Sequence, residues 1–411
     1  VSGPTASRPS STSPTSPTGP GGASTLAARN AVALTFFLNG LLFATWVSRI
    51  PEARRSLGLD NGQLGLLLLA IAAGSLLSMP TSGALISRLG TTLVVRVAGL
   101  SALVGLVLTA VAIGVSSVPV AAVGLFLYGV GTGVWDVGMN VEGAAVEQHL
   151  GRTVMPRFHA AFSFGTVLGS AVGAAAVGLG VPTAGHLPVL AVLAVTVLLV
   201  CTRRFLPDEV AAQGGDEGPA PSSWSAWTEP RTLLIGLMVL ALALTEGTAN
   251  DWLALALVDG YDVADWVGVA GFAVFVTAMT AGRLGGPVLL DRFGRVPVLW
   301  ATMAAAGGGV LLIVLGQSLV LVVVGVVLWG LGASLGFPVG MSAAADDPRR
   351  AAARVSVVST IGYAAFLSGP PLIGFVADRV GTLDALLVVA VVLVPSALVV
   401  PAARSRRATG G

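Results

Sequence analysis

The sequence predicts an all-α membrane protein of twelve transmembrane helices arranged as two pseudo-symmetric six-helix bundles, and three observations predict it. The 411-residue chain is 55% hydrophobic and only 10% charged, against roughly a quarter charged in soluble domains. Apolar runs of about 20 residues, the length that crosses a hydrocarbon core of about 30 Å, recur along almost the whole chain. Short motifs of the first half also return in the second, Ser87-Arg88-Leu89-Gly90 matching Asp291-Arg292-Phe293-Gly294 at an offset of 204.

The first 28 residues are mostly Ser, Thr, Pro, Gly and Ala, a composition that buries no core and predicts a disordered tail over 1–28. It lacks the apolar centre of a signal peptide. Spans follow at about 31–50, 62–84, 92–114, 119–146, 159–181 and 187–205, forming an N-terminal bundle over 29–205. Pro207 to Pro230 holds Asp208, Glu209, Asp216 and Glu217 among Gly, Pro and Ser, so 206–230 reads as a cytoplasmic linker. Spans at about 231–257, 266–289, 297–315, 319–344, 354–376 and 383–401 make the C-terminal bundle, 231–402, before a cytoplasmic tail at 403–411. Pro370 and Pro371 predict a kink in the eleventh span.

All 22 basic residues are Arg, and their placement orients the chain. With the N-terminus inside, sixteen fall on inside segments, whereas only Arg49, Arg54, Arg55 and Arg379 fall outside. That asymmetry is what the positive-inside rule expects, so both termini are expected in the cytoplasm and the chain in the inner membrane. The net charge of +2 gives no reason to expect nucleic acid. One cysteine, Cys201, builds neither a disulfide nor a thiolate metal cluster. The three histidines lack metal-ligand spacing, and no glycine-rich phosphate loop with its lysine is present. An enzyme, a metal and a cofactor are therefore not expected; a small-molecule substrate, protons and the lipid bilayer are, with the chain acting as a monomer.

The internal repeat extends further. Asn39-Gly40 before Trp46 matches Glu246-Gly247 before Trp252, and Tyr128-Gly129-Val130-Gly131 matches Trp329-Gly330-Leu331-Gly332. Two homologous bundles related by an axis along the membrane normal are a transporter architecture. Gly286 to Arg295, with Asp291, Arg292, Gly294 and Arg295, resembles the cytoplasmic signature loop of major facilitator transporters; the first copy departs from it with Ser87 in place of the acid. Further segments resemble the YbjJ-like group related to the fucose-permease family: Phe37-Leu38-Asn39-Gly40 with Ser48-Arg49-Ile50-Pro51, Asp136-Val137-Gly138-Met139-Asn140, Phe158-His159 with Phe162-Ser163, and Glu246-Gly247 with Asp251-Trp252. The resemblance covers nearly everything from about 30 to 400 and implies the major facilitator fold and secondary transport, with proton-coupled uptake of a sugar or other polar solute as one expectation.

Ionisable residues inside a membrane are costly unless paired or wet, which makes them functional candidates. Gly129, Gly133, Asp136, Asn140, Gly143 and Glu147 share one helical face, placing Asp136 and Asn140 toward the space between the bundles. Asp136 reads as a proton carrier or as a permanent cross-link between helices. Glu246 lies near the midplane with Asn250 one turn on, as a proton site, a substrate ligand or half of a fixed ion pair. Arg49 lies 20 residues beyond Arg29, as Asp251 lies 20 beyond Arg231; equal depth predicts either an Arg49 to Asp251 gate or an Arg49 to Glu52 interfacial cluster. Asn39, Phe43, Trp46 and Trp252 read as cavity walls or as packing. His159 is expected at the cytoplasmic surface, and Glu142, Glu147, Arg283, Asp346 and Asp347 in cytoplasmic-side ion pairs. The apolar, aromatic faces favour export of small organic or drug-like compounds, with polar-solute uptake as the alternative; a membrane enzyme or a non-transporting sensor is more distant.

Overall fold

A computed structural model describes residues 20–405 apart from 60, 208–222 and 317. The helices are α1 (Pro20–Val47), α2 (Ile50–Ser56), α3 (Asn61–Leu89), α4 (Thr91–Gly114), α5 (Val118–Leu150), α6 (Met155–Gly178), α7 (Thr183–Cys201), α8 (Pro230–Tyr261), α9 (Asp265–Phe293), α10 (Arg295–Leu315), α11 (Leu319–Ala333), α12 (Gly336–Ala344), α13 (Ala351–Val380), α14 (Thr382–Ala385) and α15 (Leu387–Val399). Among the described residues 12 stretches are long and apolar enough to cross a membrane, from Ser24–Ser56 to Thr382–Ala403. Each overlaps one span read from the sequence. Leu398 and Val320 are 80% and 72% exposed, a disposition that suits lipid rather than water. An even number of crossings returns the chain to the face it left, the terminal face; the opposite one is the distal face.

Two of the helix breaks depart from the sequence reading and have a common chemical cause. Pro338 has no amide hydrogen to donate to Ser334, four residues earlier, and the tenth span parts there into α11 and α12. Pro51 does the same to the carbonyl of Val47 where α1 ends, leaving Arg49 at the joint with α2. By contrast α13 runs unbroken through Pro370 and Pro371. The predicted tail also needs correction: residues 20–28 are helical as the start of α1, and 1–19 lie outside the described residues. Most of the predicted linker and 406–411 lie outside them too.

The repeat is visible in the packing. A Cβ on Gly105 of α4 would come within 2.4 Å of the Tyr128 amide nitrogen, and one on Gly309 of α10 within 2.6 Å of the Trp329 nitrogen. Gly131 closes on Ala98 and Ala102, and Gly332 on Thr302 and Ala306. Where lipid is as apolar as leucine, such small-residue crossings let backbones meet and gain dispersion contacts. Gly90 and Gly294 head the helices after the repeated loops at φ of 79° and 80°, a conformation only glycine adopts without strain.

The halves join on their terminal sides. Glu147 accepts from Ser342 Oγ (2.6 Å), Gln148 donates to Ala345 O, Asp291 accepts from Thr153 N and Oγ1, and Ser356 donates to Met79 O. Gly83 lies against Ala352 and Ala353. Toward the distal side Phe43 and Val47 of α1 are 47% and 42% exposed, as is Phe366 of α13 at 40%.

Candidate functional site

Above the terminal contacts, charged and polar groups from both bundles converge. Arg283 of α9 is buried, and its Nη2 meets both carboxylate oxygens of Glu246 of α8 at 3.0 and 2.9 Å. Its Nη1 donates to Ser163 Oγ of α6, in the other bundle, at 2.8 Å. Its Nε points at the Ser334 carbonyl at 3.4 Å, the one that Pro338 deprives of a helical donor. A proline in α12 thus supplies an acceptor for an arginine of α9. Sequence reasoning placed Arg283 among the ion pairs of the membrane surface; it is instead the partner of Glu246 and a bridge between bundles.

Asp136 stands beside this bridge on α5, 6% exposed, with Oδ2 lacking a hydrogen-bond partner. The Tyr363 hydroxyl of α13 faces it from the C-terminal bundle. Asn140 Nδ2 donates to the Asp136 backbone carbonyl (2.9 Å), which leaves Asn140 Oδ1 to accept from His159 Nε2 at 3.2 Å. His159 is buried rather than at the surface, its ring between Phe36 (5.0 Å) and Phe337 (5.6 Å). Phe337, Tyr363 and Phe366 continue edge to face from there, an aromatic run linking the bundles. The expected glycine face of α5 packs as a close approach: Gly129 on Ile71 and Gly133 on Ser75 of α3.

The other candidates separate. Asn39 is buried with Nδ2 unpartnered, and Phe43 is half exposed against Phe162. Trp46 is buried in the core at 2% exposure and is packing, not cavity wall. Asn250 and Asp251 are exposed on α8, while the Trp252 ring lies on Gly374 with Nε1 unpartnered. Arg49 is not joined to Asp251. It is 1% exposed, donating Nη1 to Glu52 Oε2 and Nε to His186 Nδ1, both at 2.9 Å.

At the terminal face Asp346 takes Arg231 and Arg295, each at 2.6 Å, and Asp347 takes Arg354 at 3.5 Å. Glu147 instead receives the amides of Val154 and Met155 at the start of α6, and Glu142 that of Leu206. In the signature loop Asp291 binds Thr153 of the opposite bundle and Arg292 lies over Phe293; Ser87 of the first copy bonds within its own helix. Sequence reasoning did not find the roles of Tyr363, His186 and Ser334. Proline four residues after Ser334 was the one available signal.

The family described as the Major Facilitator Superfamily matches residues 32–288 and 272–410. An uncharacterised transporter of Sinorhizobium fredii is 36% identical over 354 residues, 84% of this chain and 90% of the relative. An uncharacterised MFS-type transporter of Yersinia pestis is 32% identical over 346 residues, 84% and 88%. Among solved structures, the transporter FucP in its outward conformation superposes with a TM-score of 0.79 at 15% identity, over 93% of this chain and 100% of that one. The human organic anion transporter MFSD10 gives 0.71 at 17%, over 92% and 99%.

Proposed function

The chain belongs to the Major Facilitator Superfamily, and from that premise we propose that it couples proton movement to export of small organic or drug-like compounds by alternating access. The carrying observation is Asp136: a buried carboxylate with one oxygen unpartnered, beside a bridge whose arginine is already neutralised by Glu246. A carboxylate so placed needs a proton or a cationic group for neutrality, and competition between the two for one site is the logic of exchange. The charges along the distally open path support a cationic cargo. Asp251 is exposed on α8 and Asp136 and Glu246 lie deeper beside Arg283, whereas Arg49 is turned into its own bundle and Arg54, Arg55 and Arg379 lie at the ends of α2 and α13. Phe43, Tyr363 and Phe366 supply faces for an apolar or aromatic body.

The terminal face, rich in arginine, is assigned to the cytoplasm of an inner membrane. The terminally closed arrangement is then the outward-facing state, the conformation in which FucP was solved. Rocking of the two bundles would open the terminal contacts and close the distal mouth. A second reading, proton-coupled uptake of a sugar or other polar solute, draws on the unpartnered donors Asn39 Nδ2 and Trp252 Nε1, which hydroxyl groups would satisfy.

Proton flux in proteoliposomes holding a pH-sensitive dye tests this, with sugars and cationic drugs added to wild type and Asp136→Asn. A drug-dependent signal of antiport sign that vanishes in the variant is expected. A sugar-dependent signal of symport sign would favour the second reading, and one unchanged in Asp136→Asn would move coupling to Glu246.

A further inference from the structure

We infer that His186 is a proton-sensitive positioning residue: its neutral ring parks Arg49 inside the N-terminal bundle while the distal mouth is open, and a proton taken from the distal side frees Arg49 to close it. The inference rests on the alternating-access reading above, and its geometry lies apart from the central site.

Arginine donates hydrogen bonds and accepts none. Arg49 Nε donates to His186 Nδ1 at 2.9 Å, so Nδ1 must present its lone pair and the ring proton sits on Nε2. An imidazolium carries hydrogen on both nitrogens. Protonation therefore removes the acceptor and sets a second positive charge against the guanidinium in a buried place, where like charges repel strongly.

The charged neighbours are few. Arg49, at the joint of α1 and α2, and Glu52 of α2 face the ring. The α6 helix presents Gly173 to it, 3.9 Å from ring Cε1 to a Cβ placed there. The α4 helix carries only Arg96, bonded to Thr202 at the far end of α7. Glu52 already accepts from Arg49 Nη1 and from the Thr183 amide. One carboxylate then stands between two cations, and the histidine, carried on α7 beside Thr183, is the one that cannot leave. Arg49 Nη2 is buried without a partner besides, as is His186 Nε2, so the histidine supplies one of the two bonds that hold the guanidinium there. The acid at the matching spacing on the opposite bundle, 20 residues beyond Arg231 as Arg49 is beyond Arg29, is Asp251, exposed on α8, and it receives the freed guanidinium.

The test uses the full chain in nanodiscs, Cys201→Ser, with spin labels at Leu179→Cys and Val380→Cys. These positions end α6 and α13 on the distal side and are 81% and 52% exposed. Electron–electron distances are measured from pH 8 to pH 5. With His186 present, the population should move to shorter distances as pH falls. His186→Asn keeps an acceptor oxygen near the Nδ1 position and does not titrate, so at least half of the shift should disappear; Asp251→Asn should reduce the short population. A full shift in His186→Asn, or none with His186 present, overturns the inference. Should His186→Asn not fold, ring-15N NMR of the unsubstituted chain decides: a bare Nδ1 on His186 at pH 8 is required, and a protonated one overturns it. Failure is separable from that of the transport reading. A pH response independent of His186 leaves transport standing, whereas distances that answer neither pH nor a substrate gradient sink both.

Discussion

Arg283 and Glu246 hold each other at a depth where neither charge would be tolerated alone. Removing one member of a buried pair leaves the other uncompensated, at a cost of about 3 kcal/mol or more. Glu246→Gln should therefore lower the thermal unfolding midpoint in detergent, and Glu246→Gln with Arg283→Gln should recover part of the loss; a double variant no better than the single would argue against the pairing. Asp136→Asn should cost little stability, since no cation is bonded to that carboxylate, and should lose the proton signal. The sequence made the acids legible because a charge in an apolar run stands out. It did not make their partners legible. Glu246 and Arg283 are on different helices, and periodicity reports which face of one helix is polar, not which helix lies opposite. The two readings of Trp46 stayed open for a related reason, since a buried face and a cavity face share one spacing.

At the scale of elements, the repeat read from motifs proved to be one of contacts. Gly105 and Gly309 each sit where a side chain would strike the backbone of the crossing helix. Gly309→Val should force α10 and α11 apart at a cost on the order of 1–3 kcal/mol. Gly308→Ala, with nothing within 4 Å of the new atom, should be neutral or mildly stabilising. Unfolding midpoints of the two variants would separate crossing from mere helix propensity. Pro338→Ala restores an amide hydrogen for Ser334 O and so competes with Arg283 Nε; transport should fall while stability holds or rises, measured on one preparation. Span positions were legible because apolar length is a direct physical requirement of the bilayer. The breaks were not, because some prolines end a helix here and others, such as Pro80, Pro188 and Pro287, lie inside one, and the residue type alone does not say which. At Ser334 the freed carbonyl faces Arg283, while α13 continues through Pro370 and Pro371.

Across the whole molecule, the bundles meet at the terminal face through hydrogen bonds as well as apolar contacts, and each such bond is worth about 1 kcal/mol net, a scale that permits opening. Thr153→Val deletes a hydroxyl bond to Asp291 and should shift spin-label distances toward terminal opening. Glu229, which precedes α8, adds a pH dependence outside the membrane. Burial alone would raise its pKa, but hydrogen bonds from Arg354 and Thr232 and the charges of Arg354 and Arg350 hold it below the usual 4.5. The stabilisation is present above the unfolded-state value and is lost as pH falls through the lower folded value. Glu229→Gln should remove that acid-side loss from a plot of unfolding midpoint against pH. The mirrored glycine crossings carry a further consequence. Each bundle completes Gly105 on Tyr128, or Gly309 on Trp329, with its own residues alone, so the first six crossings can be assembled while the ribosome is still translating the second six. Two genes, one for each bundle, should then be able to make between them what one gene makes now.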